Sequence, residues 1–118
     1  MSRRLDSLKE VAYKEALKCI GRQRHGAVVI GNGGRILAKA CNNYKNGYHA
    51  EARAIKRVPH DAKASAMIIL VVRAARNKRF GLSRPCRMCQ KTIREAKIKI
   101  VYFSTGKDEL LGLETYGD

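Results

Sequence analysis

Two short stretches, far apart in the chain, carry residue types suited to metal-assisted hydrolysis. His49-Ala50-Glu51 offers an imidazole and a carboxylate two residues apart. Pro85-Cys86-Arg87-Met88-Cys89 offers two thiols three residues apart, opened by a proline. His49, Cys86 and Cys89 can give a zinc ion one neutral nitrogen and two thiolates, leaving a fourth tetrahedral position for water. Water held there loses a proton near neutral pH. Glu51 is then a spare carboxylate, free to move protons between water and substrate.

Blander chemistry fits each half alone. A Cys-x-x-Cys pair at a helix start is also the layout of a redox dithiol. A purely structural zinc would need a fourth protein ligand. His25, His60, Cys19 and Cys41 are the spare donors, and none has ligand-like spacing to the pair. The His-x-Glu opening an apolar helical run favours the catalytic arrangement over both.

The elements that must position these residues can be read from periodicity. Cys86 and Cys89 share a face on a helix over 85–96, with Pro85 suited to a first helical position. A helix start also favours thiolate over thiol. His49 and Glu51 cannot share a face inside a regular helix, so they must lie in the first turn of a helix over 49–58, halted by Pro59. An amphipathic helix is predicted over 7–20, carrying Leu8, Val11, Ala12, Ala16, Leu17 and Ile20. Strands are predicted over 27–30 and 35–41, joined by a Gly-Asn-Gly-Gly turn. Ala66 to Arg73 contains the run Met-Ile-Ile-Leu-Val-Val, which suits a strand covered on both faces. A basic loop over 74–84, a strand over 99–104 and a last strand over 110–116 complete the pattern.

Composition bounds the rest. A chain of 118 residues with 45% hydrophobic residues reads as one domain spanning 1–118 with a core of its own. No apolar run approaches a membrane span, and the first residues lack a signal-peptide core. Cys19 and Cys41 read as small buried apolar residues. With every cysteine then a thiol or a metal ligand, a cytoplasmic location is expected. The formal charge is +15, from 25 Lys and Arg against 10 Asp and Glu. Ten of those bases lie between Arg73 and Lys99, with Glu95 as the only acid. They bracket the cysteine pair, so Arg76, Lys78, Arg79, Arg84 and Arg87 are candidates for phosphate or nucleic-acid contact.

The paired motifs His49-Ala50-Glu51 and Pro85-Cys86-x-x-Cys89 resemble the H-x-E … P-C-x-x-C signature of the cytidine deaminase-like superfamily. That superfamily includes cytidine, deoxycytidylate, tRNA adenosine and polynucleotide cytidine deaminases, and the resemblance runs from about His25 to Tyr102. It implies a three-layer α/β/α fold with a mixed five-stranded sheet. It implies zinc on His49, Cys86 and Cys89, with Glu51 as proton shuttle and the Ala50 N–H helping to hold water or the base. Relatives bond the sugar through an asparagine before the His-x-Glu helix, which here is Asn42 or Asn43. His25 matches a pocket-wall position, and Tyr48 is a candidate to stack on the base. Histidine at position 49 is similar to the deoxycytidylate, tRNA and polynucleotide branches, whereas the short C-terminal ending is similar to cytidine deaminases.

The expected function is hydrolytic deamination of cytosine to uracil in a (deoxy)cytidine nucleotide or single-stranded nucleic acid. Two alternatives stay open: adenosine deamination in tRNA, and a non-catalytic, zinc-stabilised nucleic-acid-binding module. Small relatives commonly form dimers or tetramers, so a homo-oligomer is also expected.

Overall fold

A computed structural model describes residues 3–21, 23–42 and 49–117. The elements are α1 (Arg3–Ala16), β1 (Arg24–Gly31), β2 (Ile36–Cys41), α2 (Ala50–Arg57), β3 (Ala66–Ala74), β4 (Phe80–Gly81), α3 (Arg87–Glu95), β5 (Ile100–Ser104) and β6 (Leu111–Thr115). One mixed sheet runs β2-β1-β3-β5-β6, with β4 paired to the end of β3. β3 and β5 are parallel, and the other pairs are antiparallel.

Alternation along the central strands builds a core on each side of the sheet. Ala27 and Val29 of β1, with Ile69 and Val71 of β3, face α2 and α3, where they meet Ala50, Ala54 and Ile93. Val28, Ile30, Leu70 and Val72 face the other way, onto Leu8 and Ala12 of α1. Gly26 sets how close α1 comes: a Cβ there would fall 2.0 Å from the Ala12 carbonyl oxygen. The three-layer mixed architecture expected from the sequence is present, with one strand more than the expected five.

Several local expectations are corrected. The basic stretch over 74–84 is not all loop, because Phe80 and Gly81 pair with Ala74 and Arg73 as β4. Two residues are too few to show a strand period. Phe80 is held by burial against α1, where its ring meets Tyr13 edge-on at 5.2 Å. Helix α1 stops at Ala16 rather than Ile20, and Ile20 is 82% exposed. Just beyond its end is a link absent from the sequence reading: Cys19 and Cys41 form a disulfide, with Cα atoms 5.9 Å apart. They are neither separate nor fully buried, and the premise of reduced cysteines behind the cytoplasmic expectation does not hold for this pair. Among the described residues, no helix is long and apolar enough to cross a membrane.

Candidate active site

Helices α2 and α3 start next to one another at one end of the sheet. His49 is the N-cap of α2 and Cys86 the N-cap of α3, both in extended backbone. The carbonyl of each accepts from the first turn: Arg53 N–H donates to His49 O at 3.1 Å, and Gln90 N–H donates to Cys86 O at 2.9 Å. Pro85 therefore lies outside the helix rather than at its first position. Its carbonyl is instead taken by the Gln90 side-chain amide at 3.0 Å. Cys89, three residues into α3, returns to the same side as Cys86.

The donor atoms of His49, Cys86 and Cys89 all lie within 4.8 Å of one another, with Cys86 Sγ 3.9 Å from His49 Nδ1. Tetrahedral zinc would ask for nitrogen–sulfur separations of about 3.6 Å and a sulfur–sulfur separation of about 3.8 Å. The cluster meets that with small side-chain movement, and a nitrogen with two sulfurs is a donor set zinc accepts. Cys89 is buried, Cys86 is exposed and His49 is half-buried, so the cluster has a closed side and an open side. Burial, reinforced by the Glu51 charge and by Cys86, pushes the Cys89 thiol well above its ordinary range. A bound metal cation would stabilise the thiolate, its proton being released to solvent.

Glu51 occupies the second position of α2 and is 3% exposed. Its Oε1 has no hydrogen-bond partner among the described residues. Burial holds its carboxyl above the usual carboxylate range, against smaller lowering effects from its own backbone N–H, His49 and Cys89. A buried acceptor left without a partner costs about 1–3 kcal/mol. A fold keeps such a group where a ligand or a reaction uses it. Ala50, fully buried, opens α2, so its N–H is among those an α-helix leaves without an internal acceptor.

The other candidates separate into groups. His25 lies on β1, and burial, then Arg73, then His49 lower its pKa to about 4. Its Nε2 is buried without a hydrogen-bond partner among the described residues. Asn42 is committed to the backbone: its Oδ1 accepts from His25 N–H at 2.9 Å, and its Nδ2 donates to Gln23 O at 2.8 Å. Asn43 and Tyr48 lie outside the described residues.

The basic residues do not act as one patch. Arg79 pairs with Glu10 and Glu109 and stacks on the Tyr13 ring at 4.6 Å. Arg84 pairs with Glu114. Arg87 is exposed on the first turn of α3, while Arg76 and Lys78 line a cavity beyond β3. Sequence reasoning missed a buried serine pair beside this region. Ser83 Oγ lies 2.8 Å from both Val71 O and Ser104 Oγ, and Ser104 Oγ lies 2.6 Å from Gly81 O. Those contacts lock the segment that leads into Cys86. Isolated serines carry no sequence signal for such a role.

Comparison with known proteins agrees with this geometry. Residues 2–105 match the family described as the cytidine and deoxycytidylate deaminase zinc-binding region. No curated protein sequence matches significantly. Among solved structures, the fold is similar to the dCMP deaminase of cyanophage S-TIM5, with a TM-score of 0.65 and 23% identity over 93% of this chain and 90% of that one. It is similar to the cytidine deaminase of Mycobacterium leprae, with a TM-score of 0.66 and 18% identity over 97% and 94%. A structure from work on A-to-I editing by tRNA:A34 deaminases aligns with a TM-score of 0.59 and 22% identity over 86% and 76%. These identities speak for the fold, and the family match spans nearly all of the chain. The chain therefore belongs to the cytidine and deoxycytidylate deaminase zinc-binding family, within the cytidine deaminase-like superfamily.

Proposed function

We propose that this chain is a zinc-dependent hydrolytic deaminase that converts cytosine to uracil in a nucleotide or in single-stranded nucleic acid. The observation that carries the reading is Glu51, a buried carboxylate with a free oxygen beside a nitrogen–sulfur–sulfur donor cluster. A metal scaffold without catalysis has no use for it.

The net reaction is cytosine plus water giving uracil plus ammonia. Zinc held by His49, Cys86 and Cys89 would lower the pKa of a water in its open position. Glu51 takes a proton from water through Oε1. Burial holds its pKa above the usual carboxylate range, which favours keeping that proton for the transfer. It then delivers the proton to the ring nitrogen next to the reacting carbon. As the water oxygen bonds to that carbon, its remaining proton passes through the same carboxylate to the amino group, the carbon–nitrogen bond breaks, and ammonia leaves. The Ala50 N–H, pointing out of the start of α2, can hold an oxygen or ring acceptor in place.

The test uses zinc-loaded protein with cytidine, deoxycytidine monophosphate, single-stranded DNA, RNA and tRNA. Ammonia release is followed and the product base identified. Uracil is expected. Inosine from tRNA would replace cytosine by adenosine as the target. No ammonia from any of them would leave the non-catalytic zinc module.

A further inference from the structure

At the end of the sheet where β3 and β5 finish, a cavity of about 760 Å³ is lined by Gln23, Arg73, Arg76, Lys78, Gly81 and Thr105, among others. None of its described lining residues is acidic. This separates it from the rest of the basic segment, where Arg79 and Arg84 are already ion-paired within the fold.

Arg73 is built into the cavity wall. Its Nε is buried and has no hydrogen-bond partner among the described residues. Its side chain lies across Gly81, the residue paired with it on β4. A Cβ at position 81 would sit 3.2 Å from Arg73 Cδ and 3.3 Å from Nη1, so glycine leaves the space the guanidinium occupies. The backbone beneath is fixed, since Arg73 N–H donates to Ser104 Oγ at 3.1 Å. At the rim, Lys78 Nζ donates to Gly106 O at 2.7 Å. That bond uses one of three N–H groups and positions the ammonium. A buried, unpartnered guanidinium nitrogen with two further cations and no acid is a costly arrangement without an anion.

His25 feels the charges of both Arg73, on the cavity wall, and His49, in the candidate active site, so the two lie near each other. Leu82, on the cavity wall, precedes Cys86 by four residues, which limits the Cα separation to about 14 Å. Arg73 is the strand partner of His25. Asn42 ties His25 N–H and the Gln23 carbonyl to the end of β2.

We propose that this cavity is a phosphate site that takes a phosphate group of the substrate, with Arg73 supplying a guanidinium fork and Arg76 and Lys78 closing the rim. The inference rests on the deaminase reading for what the phosphate is attached to. The same chemistry suits the phosphate of a mononucleotide or a diester of a single strand.

The experiment measures equilibrium binding of deoxycytidine, deoxycytidine monophosphate and a short cytosine-containing single strand to zinc-loaded protein. Glu51→Gln serves as the background so that ligands stay intact. Ammonia release is measured separately on the protein with Glu51 in place. A phosphate-bearing ligand should bind at least about tenfold tighter than the nucleoside. Arg73→Gln should remove most of that advantage, and Arg76→Ala with Lys78→Ala should reduce it, with zinc content retained. Lys91→Ala, an exposed base outside the cavity, should change it less than about twofold. If only the single strand shows the advantage, its salt slope should fall by about 0.7 for each phosphate contact removed, placing the phosphate in a polynucleotide. An advantage for the monophosphate places it in a nucleotide. Should Arg73→Gln fail to fold, the exposed Arg76 and Lys78 pair decides the matter. Unchanged phosphate preference in the cavity variants, or an equal loss in Lys91→Ala, overturns the site. Turnover of deoxycytidine without phosphate preference would overturn this site and leave the deaminase reading standing. Arg73-dependent phosphate binding with no ammonia released would do the reverse.

Discussion

Helices α2 and α3 both begin on a candidate metal donor in extended backbone, and neither uses its side chain to cap its helix. Ser, Thr, Asp or Asn at each start would be worth about 1 kcal/mol. The two starts forgo that and leave His49 and Cys86 free to turn toward each other. Beyond the caps they differ. The first turn of α2 buries Ala50 and Glu51, whereas the first turn of α3 exposes Arg87 and Met88 and buries Cys89. One start therefore supplies the proposed proton-transfer group and a closed wall. The other supplies both sulfurs, one facing inward and one facing solvent. Candidate metal donors lie on both helix starts, but the proposed proton-transfer group lies on α2 alone, so the two roles can be broken separately.

The largest effect is expected from breaking the α3 side. Cys89→Ser removes one of three protein donors from the closed side of the cluster. Elemental analysis should show loss of stoichiometric zinc, ammonia release should fall to background, and added zinc should no longer raise the unfolding midpoint. Full zinc occupancy in this variant would falsify the ligand assignment. Breaking the α2 side should look different. Glu51→Gln should keep zinc and lose about two to four orders of magnitude in turnover. Its stability should be unchanged or higher, because the buried carboxyl no longer resists ionisation. A Glu51→Gln protein that loses its metal would show that the two helix starts are not independent.

A third, smaller effect lies behind α2. His25 has its pKa lowered from 6.5 to about 4, chiefly by burial, then by Arg73 and His49. Between those values the unfolded chain binds a proton that the folded chain refuses. Stability should therefore be complete above pH 6.5, fall as the pH drops toward 4, and level off below it. The total loss from this group is about 3 kcal/mol at most. Denaturant titrations across that range should show the slope, and His25→Gln should flatten it. A slope unchanged in His25→Gln would assign the acid sensitivity elsewhere.

The legible and illegible parts of the molecule follow the same division. His49, Glu51, Cys86 and Cys89 stand out because ligand and proton chemistry restrict residue type. Helix starts restrict spacing as well, so a pattern a few residues long carries the arrangement. The central strands were readable as continuous apolar runs because β1 and β3 have both faces covered. β4 is too short to show a period, and the Ser83–Ser104 pair and the Cys19–Cys41 link join residues 21 and 22 positions apart that no local period marks. The basic segment shows the limit most clearly. Its ten positive side chains look equivalent in sequence, yet Glu10, Glu109 and Glu114, all outside the segment, neutralise two of them. Which cations are left for a ligand is a tertiary property.

The smallest predicted effect tests that last point through the anchors of the two helix starts. The first turns of α2 are tied to the sheet by Arg53, whose Nη1 donates to Cys41 O at 2.6 Å in a half-buried setting. The approach to α3 is tied by Arg84, which pairs with Glu114 of β6 while 57% of its side chain is exposed. An exposed ion pair gains little, since water and salt screen it and two long side chains must be ordered. A double-mutant cycle on Arg84→Ala and Glu114→Ala should give a coupling below about 1 kcal/mol, shrinking with salt. Because Glu114 already occupies Arg84, the same Arg84→Ala change should weaken oligonucleotide binding far less than Arg73→Gln does. A loss equal to that of Arg73→Gln would mean that Arg84 leaves Glu114 to hold phosphate, and that the division of the basic segment into structural and ligand-facing cations is wrong.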